Sequence, residues 1–130
     1  EKGDNYLVAE VDGQVVGHAH YGDFRSGSGY RFTAEHTIHL SPAAHGRGIG
    51  RALYLSLEQR AVKAGLHVLV AGISSANPGG VGFHAALGFA EVGRLPEVGH
   101  KNGHWLDTIL MQKIVPHTGN QHPDNVAEHG

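Results

Sequence analysis

The sequence has no cysteine, no long hydrophobic run and no excess of positive charge. The missing thiols exclude a disulfide framework, a cysteine nucleophile and cysteine-ligated zinc. No apolar run approaches the ~20 residues that a membrane-spanning helix needs, and nothing resembles a signal peptide, so we expect a cytoplasmic protein without membrane contacts. Ten Lys and Arg against twelve Asp and Glu give a formal charge of −2, which argues against a broad nucleic-acid-binding surface.

Glycine and histidine are abundant instead. The 130 residues suit one domain, and a hydrophobic content of 40% can fill the core of that domain. Twenty glycines indicate tight turns and close approaches between backbones. Twelve histidines make the net charge of the molecule sensitive to pH below neutrality.

The order of the elements predicts an α/β fold with a mixed sheet. Two alternating runs, 6–11 and 15–21, flank Asp12-Gly13, which is a strong hairpin signal. The later elements are a strand (30–40), a helix (from the turn at 44–51 to about Ala64), a strand (66–73), a helix (Asn77 to Leu87) and two strands (89–94 and 105–115). A loop through Pro96 separates the last two strands. We expect residues 1–115 to form one domain and residues 116–130 to be a disordered tail.

The longer helix has a clear apolar stripe. Its predicted buried positions recur every four residues: Ile49, Leu53, Leu57 and Ala61. Glu58 is charged, and we expect it to face water with the arginines of the same helix.

A glycine-rich turn, His45-Gly-Arg-Gly-Ile-Gly50, connects a predicted strand to this helix. Glycines let backbone N–H groups approach an anion closely, and a helix N-terminus adds partial positive charge, which Arg47 and Arg51 can supplement. The turn lacks the Gly-Lys-Ser/Thr of a nucleoside-triphosphate P-loop and the full dinucleotide fingerprint. It therefore predicts a phosphate or pyrophosphate site, with a tight strand-to-helix connection as the alternative.

Several linked motifs carry a resemblance to a known family. Glu35–Pro42 followed by His45–Leu53 resembles the acetyl-CoA-binding core of GNAT-type N-acetyltransferases. Further segments resemble the phosphinothricin/methionine-sulfoximine acetyltransferase branch: Tyr21–Arg25, Tyr30–Thr33, Val70–Ile73, Asn77, Phe83–Phe89 and Lys101–Asp107. The similarity runs essentially without gaps from about Val15 to Lys113.

The resemblance implies a GNAT-like mixed, mostly antiparallel sheet flanked by helices, without the strand and two helices that usually open the fold. It implies an enzyme that moves the acetyl group of acetyl-CoA to the α-amine of a small amino acid or analogue, by direct attack and without a metal. Methionine sulfoximine, methionine sulfone and phosphinothricin are the first acceptor candidates. A homodimer is expected on the same ground.

The resemblance also implies a set of residues that hold acetyl-CoA. The backbone of the glycine-rich turn would bind the pyrophosphate through Gly46, Arg47, Gly48, Ile49, Gly50 and Arg51. Ile38, His39 and Leu40 would pair their backbone with the pantetheine arm as an added strand would, and Asn77 would hydrogen-bond the same arm. The N–H near Leu40 would stabilise the oxyanion of the tetrahedral intermediate.

Catalytic and acceptor-binding residues follow from the same resemblance. Glu35 would take the proton of the attacking ammonium directly or through water, the alternative being a solvated strand carboxylate. His84 would contact the acetyl group or the substrate, or accept a second proton; a packing role is the alternative. Arg25 would clamp the carboxylate of the acceptor, and His36 and Thr37 would lie beside it.

The sequence leaves two other functional hypotheses open. A non-catalytic acyl-CoA-binding module would keep the glycine-rich turn and lose turnover because the elements that enclose the acceptor are missing. Within the motifs, Gly80 stands where the family usually has a Ser.

Metal binding is the second hypothesis, because two histidine pairs have ligand-like spacing: His18 with His20, and His100 with His104. No three-ligand set with a carboxylate is evident, so we expect no metal site.

Overall fold

The structure is a computed structural model that describes residues 5–116. Its strands are β1 (Tyr6–Val11), β2 (Gln14–Asp23), β3 (Thr33–Leu40), β4 (Val68–Ser74), β5 (Ala90–Lys101) and β6 (His104–Ile114), and its helices are α1 (Ile49–Lys63) and α2 (Pro78–Ala86). Short 3₁₀ turns at Ser28–Tyr30 and Pro42–Ala44 precede and follow β3. The predicted tail, 116–130, lies outside the described residues except for Pro116.

All six strands form one sheet in the order β1-β2-β3-β4-β6-β5. The β3–β4 pair is parallel, and the other neighbouring pairs are antiparallel, so the predicted mixed and mostly antiparallel architecture is confirmed. Helix α1 lies against β1, β2 and β3, and α2 lies against β4, β5 and β6. Both helices cover the same face, because the ring of His36 on β3 contacts Tyr54 of α1 and His84 of α2.

Two-residue turns close the hairpins at both ends of the sheet. Asp12 and Gly13 have φ angles of 52° and 81°, which confirms the hairpin predicted from this dipeptide. Asn102 and Gly103 repeat the geometry between β5 and β6, with φ angles of 52° and 79°. Positive φ at both positions matches the twist of the flanking strands, so each turn fixes the register of its hairpin.

The predicted loop through Pro96 is wrong. Strand β5 continues to Lys101, and its pairing with β6 has two irregularities, a bulge between Glu91 and Gly93 and a longer interruption between Leu95 and Gly99. Asp107 on β6 accepts the backbone N–H of Glu97 at 2.9 Å and thereby holds the bulged segment on the sheet. A proline is tolerated at such a bulge because no ladder hydrogen bond is required there.

Helix α1 buries the predicted stripe and one charged residue beside it. Leu53, Leu57 and Ala61 are buried, and Ile49 is partly buried. Glu58 is also buried, at 9% exposure, so the prediction that it faces water is wrong.

A long-range ion pair explains the burial of Glu58. Lys113 of β6 places its Nζ 2.7 Å from Glu58 Oε1, and the same oxygen accepts the hydroxyl of Tyr54 at 2.7 Å. Lys113 Nζ also donates to the carbonyl of Leu87, at the end of α2, over 2.8 Å. These hydrogen bonds compensate the desolvation of the carboxylate and tie α1 to β6 and α2.

The parallel strands β3 and β4 separate part of the way along. Thr33–His36 of β3 pairs with Val68–Ala71 of β4. Beyond that point β3 runs to Leu40 and β4 runs to Ser74 without pairing to each other. The resulting gap between two parallel strands leaves one edge of β3 open inside the sheet.

Candidate functional site

A pocket of about 640 Å³ lies where the strands separate. Eight of the ten residues predicted to hold acetyl-CoA line it: Ile38, His39, Leu40, Gly46, Gly48, Gly50, Arg51 and Asn77. Arg47 and Ile49 do not line this pocket. Of the predicted catalytic residues, Leu40 and His84 line it and Glu35 does not.

The open edge of β3 presents backbone groups to the pocket at alternate residues. Ser41 donates its N–H to the carbonyl of Val16 on β2 at 2.8 Å. Because successive backbone groups of a strand point to opposite sides, the groups of Ile38 and Leu40 point away from β2 and into the gap. Those of His39 point toward β2, so Ile38 and Leu40 are the residues of this segment that can pair with an extended ligand.

The glycine-rich turn forms the opposite end of the pocket. Gly46 and Gly48 have φ angles of 77° and 74°, a region that favours glycine, and open space lies where a Cβ would stand. Gly48 caps the N-terminus of α1 without a side-chain hydrogen bond, and the first turn carries no acidic residue. The first backbone N–H groups of the helix therefore lack a capping side chain, which suits a pyrophosphate.

Helix α2 and its N-cap residue Asn77 form a wall of the pocket, and only part of this wall is predicted from the sequence. Asn77, Gly80 and His84 line the pocket together with Gly79 and Phe83. Gly79 and Phe83 were not predicted. Helical spacing could have indicated them, because residues four apart share a helix face, as Gly79 and Phe83 do and as Gly80 and His84 do. Ala44 and His45 complete the lining from the other side.

Gly80 has no space for a side chain in this arrangement. An ideal Cβ there would stand 2.7 Å from Cγ2 of Ile73 and 2.8 Å from Nδ2 of Asn77. The amide of Asn77 thus occupies the space where the family's usual serine would begin.

His84, which lies in the pocket wall, forms a buried pair with His36. Their Nε2 atoms are 3.0 Å apart, and His84 Nδ1 is 2.9 Å from the carbonyl oxygen of Gly80. Burial lowers the pKa of both rings, and that of His36 falls to about 3 because of burial and then the neighbouring His84. Both rings are therefore neutral near pH 7. His36, which was predicted to lie beside the acceptor, is 4% exposed on the helix-covered face.

Glu35 and Thr37 lie on the face of the sheet opposite to both helices, because side chains alternate along β3. Glu35 is exposed, and its Oε2 lies beside Gly72 of β4, where an added Cβ would be 3.3 Å away from that oxygen. The same Cβ would stand 3.4 Å from Cγ2 of Thr108 on β6. The absence of a side chain at Gly72 therefore leaves the space that the carboxylate occupies.

Arg25 lies in the segment between β2 and β3, away from the pocket. Its guanidinium carbon is 5.4 Å from the ring centre of Phe24 and 5.6 Å from that of Tyr30. Contacts of this kind restrain an exposed arginine without occupying its hydrogen-bond donors. The guanidinium remains available for an anionic group.

Three of the four histidines considered as metal ligands are engaged in ring contacts. His18 and His20 stack on each other at 6.0 Å, and His100 packs edge-on against Trp105 at 4.7 Å. Within residues 5–116, no group of three or more His, Asp or Glu side chains is arranged to hold a metal ion. In the same residues, no helix is long and apolar enough to cross a membrane.

Comparison with solved structures identifies the class of fold. A putative acetyltransferase from Salmonella typhimurium, solved with its cofactor acetyl-CoA, superposes with a TM-score of 0.81 and 41% sequence identity, over 91% of this chain and 68% of that chain. A sequence profile of the acetyltransferase (GNAT) family matches residues 1–89. The chain therefore belongs to the GNAT acetyltransferase family.

Two relatives of known name are N-acetyltransferases of amino-acid analogues. The L-methionine sulfoximine/L-methionine sulfone acetyltransferase of Salmonella typhimurium is 45% identical over 106 residues, which are 82% of this chain and 62% of that protein. The phosphinothricin N-acetyltransferase of Alcaligenes faecalis is 44% identical over 109 residues, which are 83% of this chain and 55% of that protein. The chain thus spans between half and two thirds of the length of these relatives.

Proposed function

We propose that the protein transfers the acetyl group of acetyl-CoA to the α-amine of a small amino acid or amino-acid analogue. The observation that carries this proposal is the gap between β3 and β4, whose free backbone edge leads to an uncapped glycine-rich helix start. A pantetheine arm with a pyrophosphate at its end needs these two features in this order. The names of the two relatives above support methionine sulfoximine, methionine sulfone and phosphinothricin as acceptors.

In this proposal the pocket binds acetyl-CoA through backbone groups. The turn from Gly46 to Arg51 holds the pyrophosphate, with the positive charge of Arg51 added at the pocket wall. The N–H and C=O groups of Ile38 and Leu40 pair with the pantetheine arm, and the amide of Asn77 reaches it from α2.

Proton transfer is assigned to Glu35 and charge stabilisation to Leu40. Acetyl-CoA supplies an activated thioester, and the neutral amine of the acceptor attacks its carbonyl carbon to form the new C–N bond. The tetrahedral intermediate then collapses with cleavage of the C–S bond, and CoA leaves as a thiolate that takes up a proton lost by the amine. Glu35 takes the ammonium proton, directly or through water, from the face opposite to the pocket. The N–H of Leu40 points into the gap and stabilises the carbonyl oxygen as negative charge develops on it. His84 contacts the acetyl group from the pocket wall.

The acceptor is assigned to the face that carries Glu35. Thr37 shares this face, and Arg25 binds the carboxylate of the acceptor with its guanidinium fork. We do not assign His36 to this set, because it is buried on the helix-covered face.

Homodimer formation and a cytoplasmic location remain predictions. Exposed apolar side chains along β5 and β6 support the dimer, since Leu95, Val98 and Trp105 are 43%, 59% and 64% exposed. Sedimentation velocity would test it, with a single monomeric species as the contradicting result.

Gly48→Val is expected to lower the affinity for acetyl-CoA at least about tenfold, a loss of ~1.4 kcal/mol. A β-branched residue at a φ of 74° is strained and shifts the turn that presents the N–H groups. Isothermal titration calorimetry with CoA measures the change. Gly103→Val is the matched control, because Gly103 has a φ of 79° and equally open surroundings but lies at the β5–β6 turn. Equal affinities for the two variants would contradict the pyrophosphate assignment.

Arg25→Ala is expected to raise the KM for the amino-acid acceptor about tenfold or more, because a bidentate charge-assisted pair is lost. The KM for acetyl-CoA should stay unchanged, since Arg25 lies away from the pocket. Steady-state kinetics with an amino acid and with its carboxamide separate the causes. The wild type should discriminate against the carboxamide and the variant should not; equal discrimination by both would remove Arg25 from acceptor binding.

A thiol-release assay with acetyl-CoA and a panel of amino-acid acceptors tests the proposed function. Turnover with methionine sulfoximine, methionine sulfone or phosphinothricin is the expected result. Calorimetric binding of CoA without turnover on any acceptor would overturn the proposal in favour of an acyl-CoA-binding module.

A further inference from the structure

We propose that His36 is a positioning residue for His84. Its Nε2–H donates to Nε2 of His84 and holds that ring in the pocket wall as the neutral Nδ1–H tautomer. The effect of this pair on turnover rests on the proposed function, whereas the tautomers themselves do not.

The hydrogen bonds decide which nitrogen carries each proton. The carbonyl of Gly80 can only accept, so Nδ1 of His84, at 2.9 Å, donates to it. A neutral imidazole has one N–H, and Nε2 of His84 is therefore an acceptor. The Nε2 of His36, 3.0 Å away, must then be the donor.

The opposite assignment, in which Nε2–H of His84 donates to Nε2 of His36, is unfavourable at Gly80 and at Nδ1 of His36. It would place the lone pair of His84 Nδ1 against the oxygen of Gly80. It would also leave an N–H at Nδ1 of His36, and that atom is buried without a hydrogen-bond partner. An unpaired N–H is a more severe loss than an unpaired lone pair, because buried donors are rarely left unsatisfied.

The surroundings of His36 fix the direction of its ring. Tyr54 of α1 lies 5.5 Å from it, and Phe89, after α2, lies 5.3 Å from it, both as ring-centre distances. Tyr54 and Phe89 also contact each other, because their rings pack edge to face with their centres 5.6 Å apart. His36 thus points its Nε2 at His84 of α2 from a buried position on β3.

One consequence concerns what His84 can do in the reaction. Both of its ring nitrogens are engaged, one with Gly80 and one with His36, so no free lone pair faces the pocket. His84 then shapes the wall as a neutral ring, and Glu35 on the other face is left as the proton acceptor. The same pair holds the first turn of α2, with Gly80 and Asn77, against β3.

Nitrogen-15 NMR of the histidine rings tests the tautomers without reference to activity. Long-range proton–nitrogen correlation spectra should show His84 protonated at Nδ1 and His36 protonated at Nε2. The signals are assigned by their loss in His36→Gln and His84→Gln. The opposite tautomers, or rings that exchange between tautomers, would overturn the proposal.

Kinetics of two matched variants test the positioning effect. His36→Leu removes the donor, and kcat should fall about tenfold or more while the KM for acetyl-CoA changes less than about twofold. His36→Gln places an amide N–H near the position of Nε2 and should restore most of kcat. If His36→Leu and His36→Gln both fold as the wild type does and have equal kcat, the positioning role is overturned. If the wild type itself shows no turnover, the proposed function fails while the NMR experiment still decides the pairing.

Discussion

Glu35→Gln is expected to reduce kcat about 10²–10⁴-fold, the range assigned to a positioned general base. Glutamine keeps the size and the hydrogen-bonding oxygen of the side chain but does not accept a proton from an ammonium group. The affinity for acetyl-CoA should change little, because Glu35 lies on the face of the sheet opposite to the pocket lined by His84 and Gly48. Stopped-flow thiol release and calorimetric titration with CoA measure the two quantities separately.

The pH dependence of kcat tests the role of Glu35 more directly. At high pH more of the acceptor amine is already neutral, so the deficit of Glu35→Gln should shrink as pH rises. Glu91→Gln, an exposed glutamate on β5, is the matched control and should behave as the wild type does. Equal turnover of Glu35→Gln and wild type at every pH would remove Glu35 from the mechanism.

Lys113→Met is expected to lower the free energy of unfolding by about 3 kcal/mol or more, because it leaves the buried carboxylate of Glu58 without its counter-charge. The variant also removes the hydrogen bond to the carbonyl of Leu87 at the end of α2. Urea unfolding followed by circular dichroism measures the change.

A double variant separates charge burial from simple loss of packing. Glu58→Leu combined with Lys113→Met replaces the pair by apolar groups, and it should recover most of the lost stability because no unpaired charge remains. Lys63→Met, at the exposed end of α1, should change stability by less than ~0.5 kcal/mol. A double variant as unstable as Lys113→Met alone would contradict the ion-pair explanation.

Local sequence signals were sufficient for much of the fold. The Asp12-Gly13 hairpin, a helix that begins within the predicted turn at 44–51 and the helix after Asn77 all lie where turn chemistry and periodicity predict them. These signals act over a few residues, so a single sequence contains them. The continuation of β5 past Pro96 depends on Asp107, which comes from another strand, and a local reading therefore missed it.

The site divides in the same way between local and long-range information. The glycine-rich turn and the β3 edge are contiguous segments, and most of their predicted residues line the pocket. The space for the carboxylate of Glu35 depends on the missing side chain of Gly72, which lies on the neighbouring strand β4. The pairing of His36 with His84 likewise joins residues 48 positions apart. No spacing rule relates such residues before the sheet is known.

The open edge of β3 has a consequence for how this segment can vary over generations. Ile38 and Leu40 offer main-chain N–H and C=O groups to the gap, and every amino acid except proline carries both groups. Selection for ligand binding therefore places little restriction on the identity of the side chains there. Selection for a filled core restricts Ile38 and Leu40, which pack against buried residues of the sheet and of α1, whereas the exposed His39 is not part of that core. Mutational libraries in this segment should retain apolar side chains at positions 38 and 40 and reject proline at both.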